Sequence, residues 1–366
     1  MSKKIILFGA TGYTGHNTAE AMAERGLRPV LAGRNREKLK ELSDRLGGLE
    51  IAIADINDHS SVARLAGKQD ILVSTVGPFT VYGEAALGAA VDRGAHYIDS
   101  TGEPGFIRKV FEDYGPRAAA AGIALITACG YDYVPGNCAA GIALKKAGPD
   151  AKRVDIGYYI TGKDMMETSQ GTAASLRYSI LEPGKIWKSG ALVESYGAAG
   201  VRAFTLGGRT RAGILLPSTE SFSLPRVFPN VKDVNVYMGW FGNKSYALHR
   251  LAAINTALMK VPGYGALLRG MVSLLPESKG KGPDSTVRSA TGSHIVAEAY
   301  DAGGKVLSRA ELKGVNGYAF TFKMLAWAAD MVASGKLKKA GAIGPIEAFG
   351  LDELIRGCGE AGLTVK

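Results

Sequence analysis

Cysteine is scarce in this chain of 366 residues. Its three cysteines, Cys129, Cys138 and Cys358, form no CxxC pair and no spacing typical of metal ligands. We therefore expect reduced thiols, no metal site and a cytoplasmic protein. The sequence also lacks any stretch near 18 uncharged apolar residues, so we predict no transmembrane helix. The apolar run near the N-terminus is too short for a secretory signal.

Acidic residues are fewer than basic ones: 34 Asp and Glu stand against 44 Lys and Arg, for a net charge of +10. Such an excess is compatible with a nucleic-acid partner, but no aromatic-rich basic recognition motif accompanies it, so we expect none. Apolar residues make up 46% and charged residues 21%, which is typical of a globular protein with a sizeable core. The length indicates about two domains.

The first residues, MSKKIILFGATGYTG, carry the strongest motif. The apolar run Ile5–Phe8 stops at Gly9, and Gly12 and Gly15 follow before a helical pattern. In dinucleotide-binding folds the first glycine allows the tight turn, the second admits the pyrophosphate and the third lets helix and strand pack closely. The preceding strand and the following helix are the context that this motif requires. We therefore predict that a helix N-terminus receives a pyrophosphate here.

The end of the second strand indicates which dinucleotide binds. NAD-binding relatives carry an acidic residue about 20 positions after the glycines, where it accepts the ribose hydroxyls. This chain has Gly33, Arg34 and Asn35 there, with Arg36 and Lys38 in the following helix. No carboxylate repels a 2′-phosphate, and a guanidinium is available to bind one in a fork. We favour NADP over the alternative that Arg34 is only a solvated loop residue.

Strand and helix patterns alternate up to about residue 130, which predicts a doubly wound parallel sheet. After the second strand, predicted strands cover Glu50–Ala54, Asp70–Thr75, His96–Asp99 and Ile123–Thr127. Glu84–Arg93 and Phe106–Ala121 have helical patterns. The predicted fold class is α/β, an N-terminal Rossmann domain (residues 1–130) with a second α+β mixed-sheet domain.

The second domain is expected over residues 131–315, where strand-like runs are spaced more widely. These runs are VDIGYYIT, VNVYMGWF and SHIVAEAY, and a hairpin turn is predicted at 301–304. Helical patterns at 318–334 and Leu351–Glu360 belong to a third region, 316–366, which we expect to pack back on the Rossmann domain.

Ligands of open parallel sheets bind beyond the carboxyl ends of the strands, so the loops there are candidate sites. These loops contain Asp55, Thr75, Val76, Gly77, Pro78, Phe79, Glu103, Gly130 and Asp132. Phe79, after a flexible and a fixed residue, is suited to wall a nicotinamide ring. An equally weighted alternative is an ordinary loop with a buried phenylalanine.

A second motif competes with this interpretation. Tyr159 and Lys163 form YxxxK, the catalytic pair of short-chain dehydrogenases. That chemistry needs both side chains on one helix face, whereas VDIGYYITGK is strand-like and contains two glycines. We interpret the pair as accidental.

Residues 244–288 carry seven Lys or Arg and two acidic residues, between apolar stretches. A basic amphipathic segment of this kind can lie on an anionic membrane or grip a lipid-bearing carrier. We favour the alternative, a helical pair that covers the substrate pocket or a dimer interface, because amphipathic helices usually face a core.

The motifs GATGYTG, LAGR, STVGPF, YIDSTGE and CGYDYVP, in this order, resemble the saccharopine dehydrogenase-like oxidoreductases. The later segments QGTAAS, GKGPDSTVR and GPIEAFG fit the same group, in particular its short bacterial branch of trans-acting enoyl reductases. The resemblance covers nearly the whole chain and implies a Rossmann fold, NADP and an oxidoreductase activity. The implied cofactor contacts are Gly9, Thr11, Gly12, Tyr13, Thr14, Gly15, Arg34 and the loop from Thr75 to Phe79.

Hydride transfer to a C=C or C=N bond also requires a proton donor or a cation in place. Candidates near the strand ends are Tyr82, Glu103, Tyr131, Asp132 and Tyr133. Thr172 and Ser175 are candidates to line a substrate pocket, with helix capping as the alternative. We expect reduction of an enoyl, lipid-like substrate. The alternatives are an imine reductase or amino-acid dehydrogenase of the saccharopine type, a non-catalytic NADP sensor and a peripheral membrane protein. A homodimer is compatible with each.

Overall fold

The computed structural model describes residues 3–162, 182–273 and 282–366. These residues divide into two compact units. Unit 1 comprises the described residues up to Gly102, with Phe106–Val134 and Gly317–Gly362. Unit 2 comprises Glu103–Gly105, the described residues from Pro135 to Asn316, and Leu363–Lys366.

Strands and helices alternate through the first part of the chain. In order they are β1 (Ile5–Phe8), α1 (Tyr13–Glu24), β2 (Val30–Gly33), α2 (Arg36–Arg45), β3 (Ile51–Ile53), α3 (His59–Ala63), β4 (Ile71–Ser74), α4 (Phe79–Arg93), β5 (His96–Asp99), α5 (Pro104–Lys109), a π-helical turn (Val110–Tyr114), α6 (Gly115–Ala120), β6 (Ala124–Ile126), α7 (Val134–Ala147) and a short 3-10 turn (Gly148–Asp150).

Strands dominate the next part. The described elements are β7 (Arg153–Gly162), β8 (Gly184–Lys188), β9 (Ala191–Ser195), β10 (Val201–Leu206), β11 (Arg209–Leu215), α8 (Glu220–Val227), β12 (Asp233–Met238), α9 (Lys244–Leu258), α10 (Tyr264–Ser273), α11 (Ser285–Ala290), β13 (Thr291–Tyr300) and β14 (Val306–Val315). The chain then continues through α12 (Gly317–Ala333), β15 (Gly341–Ala342), α13 (Pro345–Phe349), α14 (Leu351–Glu360) and β16 (Leu363–Val365).

Unit 1 is built on a parallel sheet with the strand order β15-β6-β5-β4-β1-β2-β3. The central strands β1, β4 and β5 are buried along their whole length, as expected for a sheet covered on both faces. The direction of strand order reverses between β1 and β4, and the carboxyl ends of these strands are the usual ligand crevice.

The C-terminal helices belong to unit 1. Helix α12 contacts α1, where the ring of Tyr13 meets the rings of Tyr318 and Phe322 edge-on at 5.4 and 5.6 Å. On another side, Trp327 packs closely over Gly357 of α14, where an added Cβ would lie 2.5 Å from the indole. These contacts bury α12, which is apolar along most of its length.

Unit 2 contains a mixed sheet with the order β10-β11-β12-β7-β13-β14-β16; β8 also pairs with β12, and β9 pairs with β8. Strand β7 pairs in parallel with β12 and antiparallel with β13. One face of the sheet holds a cluster formed by Tyr159, Phe204, Leu206 and Val296.

The predicted fold class is confirmed: a parallel Rossmann sheet accompanies a second, mixed sheet. The predicted hairpin at 301–304 is also present, because β13 and β14 pair antiparallel on either side of it. Some boundaries differ from the prediction. Helix α4 begins at Phe79 rather than at Glu84, since the turn after β4 leads directly into the helix. Residues 363–365 form a strand on β14 in unit 2, instead of remaining with the C-terminal helices.

Candidate active site

In the loop between β1 and α1 the backbone segments lie as close together as its glycines predict. Gly9 has a φ of +87°, a conformation that side-chain-bearing residues rarely adopt. A Cβ added at Gly15 would lie 2.1 Å from the carbonyl oxygen of Gly9, so only glycine allows this packing. The amide of Gly12 donates to the same carbonyl oxygen at 2.9 Å, which closes the turn.

The N-terminus of α1 is suited to an anion. Gly12 is its N-cap residue, no side chain of the described residues caps it, and its first turn contains no acidic residue. A Cβ on Gly12 would approach only the Gly9 carbonyl, at 3.4 Å, so the space beside the helix end is open. Unsatisfied amides and the helix dipole favour a phosphate at this position. The residues present therefore fit the pyrophosphate of a dinucleotide, with Thr11, Tyr13 and Thr14 in the same turn.

The loop after β2 presents positive charge to solvent. Arg34 is exposed, and its guanidinium makes no hydrogen bond or ion pair with any residue of the described chain. The side chain of Asn35 accepts a hydrogen bond from the amide of Lys38 at 2.9 Å and caps α2, and its predicted cofactor contact stays a prediction. That cap fixes the turn after Gly33 and leaves Arg34 available to a ligand.

Asp55, after β3, is held by its own loop. Its Oδ1 accepts hydrogen bonds from the amide and side chain of Asn57 at 2.9 and 3.0 Å. Its amide donates to the hydroxyl of Ser61. The second carboxylate oxygen, Oδ2, remains compatible with the predicted cofactor contact.

The loop after β4 joins this strand to the glycine turn. The Thr75 hydroxyl donates to the carbonyl oxygens of Phe8 and Gly9, at 3.1 and 3.3 Å. The ring of Phe79 is buried and packs on Phe106 with 5.6 Å between centroids, while Val76, Gly77 and Pro78 are half-buried. Phe79 thus packs within the protein, and its contact with a nicotinamide ring stays a prediction. The exposed aromatic ring in this region is Tyr82, which is 41% exposed.

Asp99, the last residue of β5, forms hydrogen bonds with the loop after β5 and the loop after β6. Its Oδ1 accepts hydrogen bonds from the amides of Thr101 and Ala128, both at 2.9 Å. Its Oδ2 accepts one from the hydroxyl of Thr127 at 2.8 Å. Burial raises the pKa of this carboxyl to about 6, although these hydrogen bonds oppose the shift. We did not identify Asp99 as a functional residue from sequence, although a carboxylate that ends an otherwise buried strand was an available signal.

The loop after β6 contains three of the predicted proton donors. Tyr131 and Tyr133 are both buried, and the backbone amide of Tyr131 donates to the Thr321 hydroxyl at 3.0 Å. Gly130 lies against the same threonine, where an added Cβ would be 2.8 Å from its methyl group. Glu103 is buried in unit 2, so it belongs to a different unit from the other candidates.

Asp132 differs from its neighbours in this loop. The residue is half-buried, and its Oδ1 is enclosed without a hydrogen-bond partner among the described residues. Its Oδ2 lies near Gly102 in the loop after β5, 3.0 Å from the position of an added Cβ. Burial raises the pKa of Asp132 to about 7. This is the environment of a carboxyl group that holds a proton near neutral pH.

The YxxxK pair is not a helical pair. Tyr159 lies in strand β7, fully buried, and its hydroxyl donates to the carbonyl of Arg211 at 2.9 Å. Lys163, Thr172 and Ser175 lie outside the described residues. The described parts of the chain hold no group of three or more His, Cys, Asp or Glu side chains placed to bind a metal ion.

Helices α9 and α10 lie in the basic segment 244–288. Leu251, Ile254 and Leu267 are 63%, 58% and 60% exposed. Apolar side chains of these two helices therefore lie on the surface of the described chain, and the cover of a substrate pocket or a dimer interface stays a prediction. The hydroxyl of Tyr264 in α10 donates to the side chain of Asn255 in α9 at 3.0 Å, which links the two helices. Among the described helices, none is both long and apolar enough to span a membrane.

Residues 5–126 match the model of the saccharopine dehydrogenase NADP binding domain. This match confirms the predicted resemblance and NADP as the cofactor of the domain. It covers the glycine turn, Arg34, Asp55 and the loop after β4.

Two relatives illustrate the sequence similarity. A trans-acting enoyl reductase of Mycobacterium leprae is 38% identical over 139 residues, which are 36% of this chain and 33% of that protein. A lipid droplet localized protein of Caenorhabditis elegans is 30% identical over 185 residues, 47% of this chain and 43% of that protein. The chain thus matches less than half the length of these relatives.

The fold as a whole is similar to that of a solved structure. The apo saccharopine dehydrogenase (L-Glu forming) of Saccharomyces cerevisiae superposes with a TM-score of 0.61 over 100% of this chain and 99% of that chain. The sequences are 14% identical, so this similarity concerns the fold alone.

Proposed function

From the saccharopine dehydrogenase NADP-binding domain that residues 5–126 form, we propose that this protein is an NADPH-dependent reductase of an enoyl, lipid-like substrate. The glycine turn carries this proposal. An added Cβ at Gly15 would lie 2.1 Å from the Gly9 carbonyl, so helix and strand pack closely, and the space beside Gly12 is open to a pyrophosphate. The relatives named trans-acting enoyl reductases support the choice of substrate.

In this proposal the chain divides cofactor binding among three loops. The amides at the N-terminus of α1, after Gly12, bind the pyrophosphate. Arg34 binds the 2′-phosphate through a bidentate hydrogen bond, and Lys38 adds positive charge beside it. The loop from Thr75 to Phe79 positions the nicotinamide end. When bound, the reduced nicotinamide supplies a hydride.

A conjugated C=C bond is our first choice of acceptor and an imine is the second. An amino-acid substrate of the saccharopine type carries carboxylates that basic side chains must grip. We identified no arginine pair for two carboxylates in the sequence. The exposed apolar surface of α9 and α10 also favours a lipid-like substrate over a small zwitterion.

The test is an assay of NADPH oxidation by the purified chain with two acceptors, a short 2-enoyl thioester and a cyclic imine. We expect turnover of the thioester, with loss of the reduced nicotinamide absorbance and formation of the saturated acyl product. Turnover of the imine alone would select the alternative reaction. Binding of NADPH without turnover of either acceptor would contradict a reductase and identify a nucleotide sensor. The variant G15A, whose added methyl group would displace the Gly9 carbonyl in the glycine turn, is the negative control.

We further propose that α9 and α10 attach the protein to an anionic lipid surface. The exposed side chains of Leu251, Ile254 and Leu258 recur at helical spacing on α9, and Leu267 and Met271 are exposed on α10. The sequence from 244 to 273 contains four Lys or Arg and no Asp or Glu. Apolar side chains that insert among headgroups, flanked by cations, are the features of an interfacial helix. The relative named a lipid droplet localized protein, which matches 47% of this chain, agrees with a lipid-associated function.

Flotation with vesicles tests this attachment. We expect the protein to float with phosphatidylcholine vesicles that contain phosphatidylglycerol, and the double variant L251Q/I254Q to bind at least about tenfold more weakly, since each side chain contributes about 1.5–3 kcal/mol on burial. The control is V193Q/V306Q, which removes two exposed apolar side chains elsewhere in unit 2. If wild type does not float but forms a dimer that L251Q/I254Q dissociates, the surface is a subunit interface and the lipid proposal is wrong.

A further inference from the structure

Asp132 has an unusual environment for a carboxylate at the edge of a cofactor-binding sheet. Its Oδ1 is enclosed and accepts no hydrogen bond from the described residues, and no Lys or Arg of those residues forms an ion pair with it. Burying a carboxylate without compensation costs several kcal/mol, so such a group normally keeps its proton or serves a function. The Oδ2 side lies against Gly102, where the absence of a side chain leaves room for it.

The backbone around Asp132 is held on both sides. The amides of Ala128 and Cys129 donate to the side chain and the carbonyl of Asp99, at 2.9 and 2.7 Å. The amide of Tyr131 donates to Thr321 of α12. The amide of Tyr133 donates back to the carbonyl of Ala128 at 3.0 Å, which closes the loop. The Asp132 carboxyl is therefore presented from a preorganised turn, as proton transfer at a fixed position requires.

The titratable groups around this turn do not compete for the same role. Asp99 uses both oxygens to accept hydrogen bonds from Thr101, Ala128 and Thr127. Burial and the nearby Asp99 raise the pKa of the Cys129 thiol above its usual range, so the thiol stays protonated and is a poor acid. Tyr131 and Tyr133 are buried phenols. Asp132 alone has a pKa that burial raises to about 7, where an acid is most effective in neutral solution.

We propose that Asp132 is the acid that donates the proton in this reduction. This inference rests on the proposed function. Hydride adds to the β-carbon of the conjugated C=C bond, and the π electron pair moves onto the α-carbon and its carbonyl as an enolate. The O–H bond of Asp132 then breaks, and its proton forms the new C–H bond at the α-carbon. The resulting carboxylate takes a proton from water before the next cycle, while NADPH leaves as NADP⁺.

The variant D132N tests this role, since asparagine keeps the shape of the side chain but has no acidic proton. D113N is the matched control, because Asp113 is an exposed aspartate of the same unit. We expect D132N to lower kcat by about 10²–10⁴-fold with an unchanged Kd for NADPH, and D113N to leave both unchanged. Wild-type kcat should fall as the pH rises through about 7, because the acid must be protonated, and D132N should lack this dependence.

A direct titration provides a readout that does not depend on turnover. In protein labelled with ¹³C at the aspartate carboxyls, the resonance that D132N removes should titrate near pH 7. Titration near the ordinary pKa of aspartate, about 3.9, would contradict the proposal. So would a D132N enzyme that retains wild-type kcat and its pH dependence. Absence of any NADPH-dependent turnover in the wild type would instead overturn the proposed function, and the proton-donor role with it.

Discussion

The α-carbon of Gly15 lies so close to the carbonyl oxygen of Gly9 that an added Cβ would be 2.1 Å from that oxygen. The contact links the start of α1 to the end of β1, and it lets helix and strand pack closely beside the turn in which a pyrophosphate is expected to bind. Fold and cofactor binding therefore depend on the same two residues.

Gly15→Ala should disrupt cofactor binding. The methyl group must displace the Gly9 carbonyl, and the Thr75 hydroxyl, 2.8 Å from the new atom, must also move. We expect NADPH affinity to fall at least about tenfold, as measured by nicotinamide fluorescence, since the phosphate amides lose their alignment. The control is Gly359→Ala in α14, where no atom lies within 4 Å of the added Cβ. That change should leave affinity intact and stabilise the helix by about 0.5–1 kcal/mol. Equal affinities for the two variants would contradict the close-contact argument.

Asp99→Ala should destabilise unit 1. The substitution removes the acceptor of two amides and one hydroxyl, all of which stay buried, at about 1–3 kcal/mol for each unsatisfied group. We expect the free energy of unfolding in urea to fall by about 3 kcal/mol or more. Asp99→Asn keeps Oδ1 for both amides and should cost less than half as much. Similar losses for the two variants would show that these hydrogen bonds do not hold the loops.

The raised pKa of Asp132 makes the stability of the protein depend on pH. The folded chain keeps this proton up to about pH 7, whereas the unfolded chain loses it near pH 3.9. The folded state thus binds more protons between these values, so wild type loses stability as the pH rises from 4 to 7.

D132N should remove this loss. The difference in the free energy of unfolding between D132N and wild type should grow in favour of the variant from pH 4 to 7 and then level off, at no more than about 4 kcal/mol. Thermal or urea unfolding across this pH range measures it. A difference that stays constant with pH would contradict a raised pKa. A stable D132N protein also shows that its loss of turnover is not a folding defect.

Much of unit 1 could be predicted from sequence because local signals agree there. The buried strands read as continuous apolar runs, and Gly9, Gly12 and Gly15 require one type of turn. The hairpin at 301–304 could also be predicted, because the residues that favour its turn are adjacent in the sequence.

Other features depend on tertiary contacts that a single sequence does not show. The Asp99 carboxylate accepts a hydrogen bond from the amide of Ala128, which is 29 positions away. This hydrogen bond can form only because β5 and β6 lie side by side. The sequence alone does not distinguish a Phe79 that lines a ligand site from one that packs on Phe106. The strand at 363–365 depends on pairing with β14. The apolar pattern of α9 predicts a helix but not whether Leu251 and Ile254 face a core or solvent.

The most direct test of the whole account is the affinity of wild type and Arg34→Ala for NADPH and NADH, measured by titration of the purified chain. We predict that wild type prefers NADPH and that Arg34→Ala loses about 1.5–3 kcal/mol of NADPH affinity, the value of a hydrogen bond between charged groups. NADH affinity should not change, and Arg64→Ala, which removes another exposed arginine of unit 1, should alter neither. Equal binding of the two cofactors by wild type, or an equal loss of both in Arg34→Ala, would contradict the account.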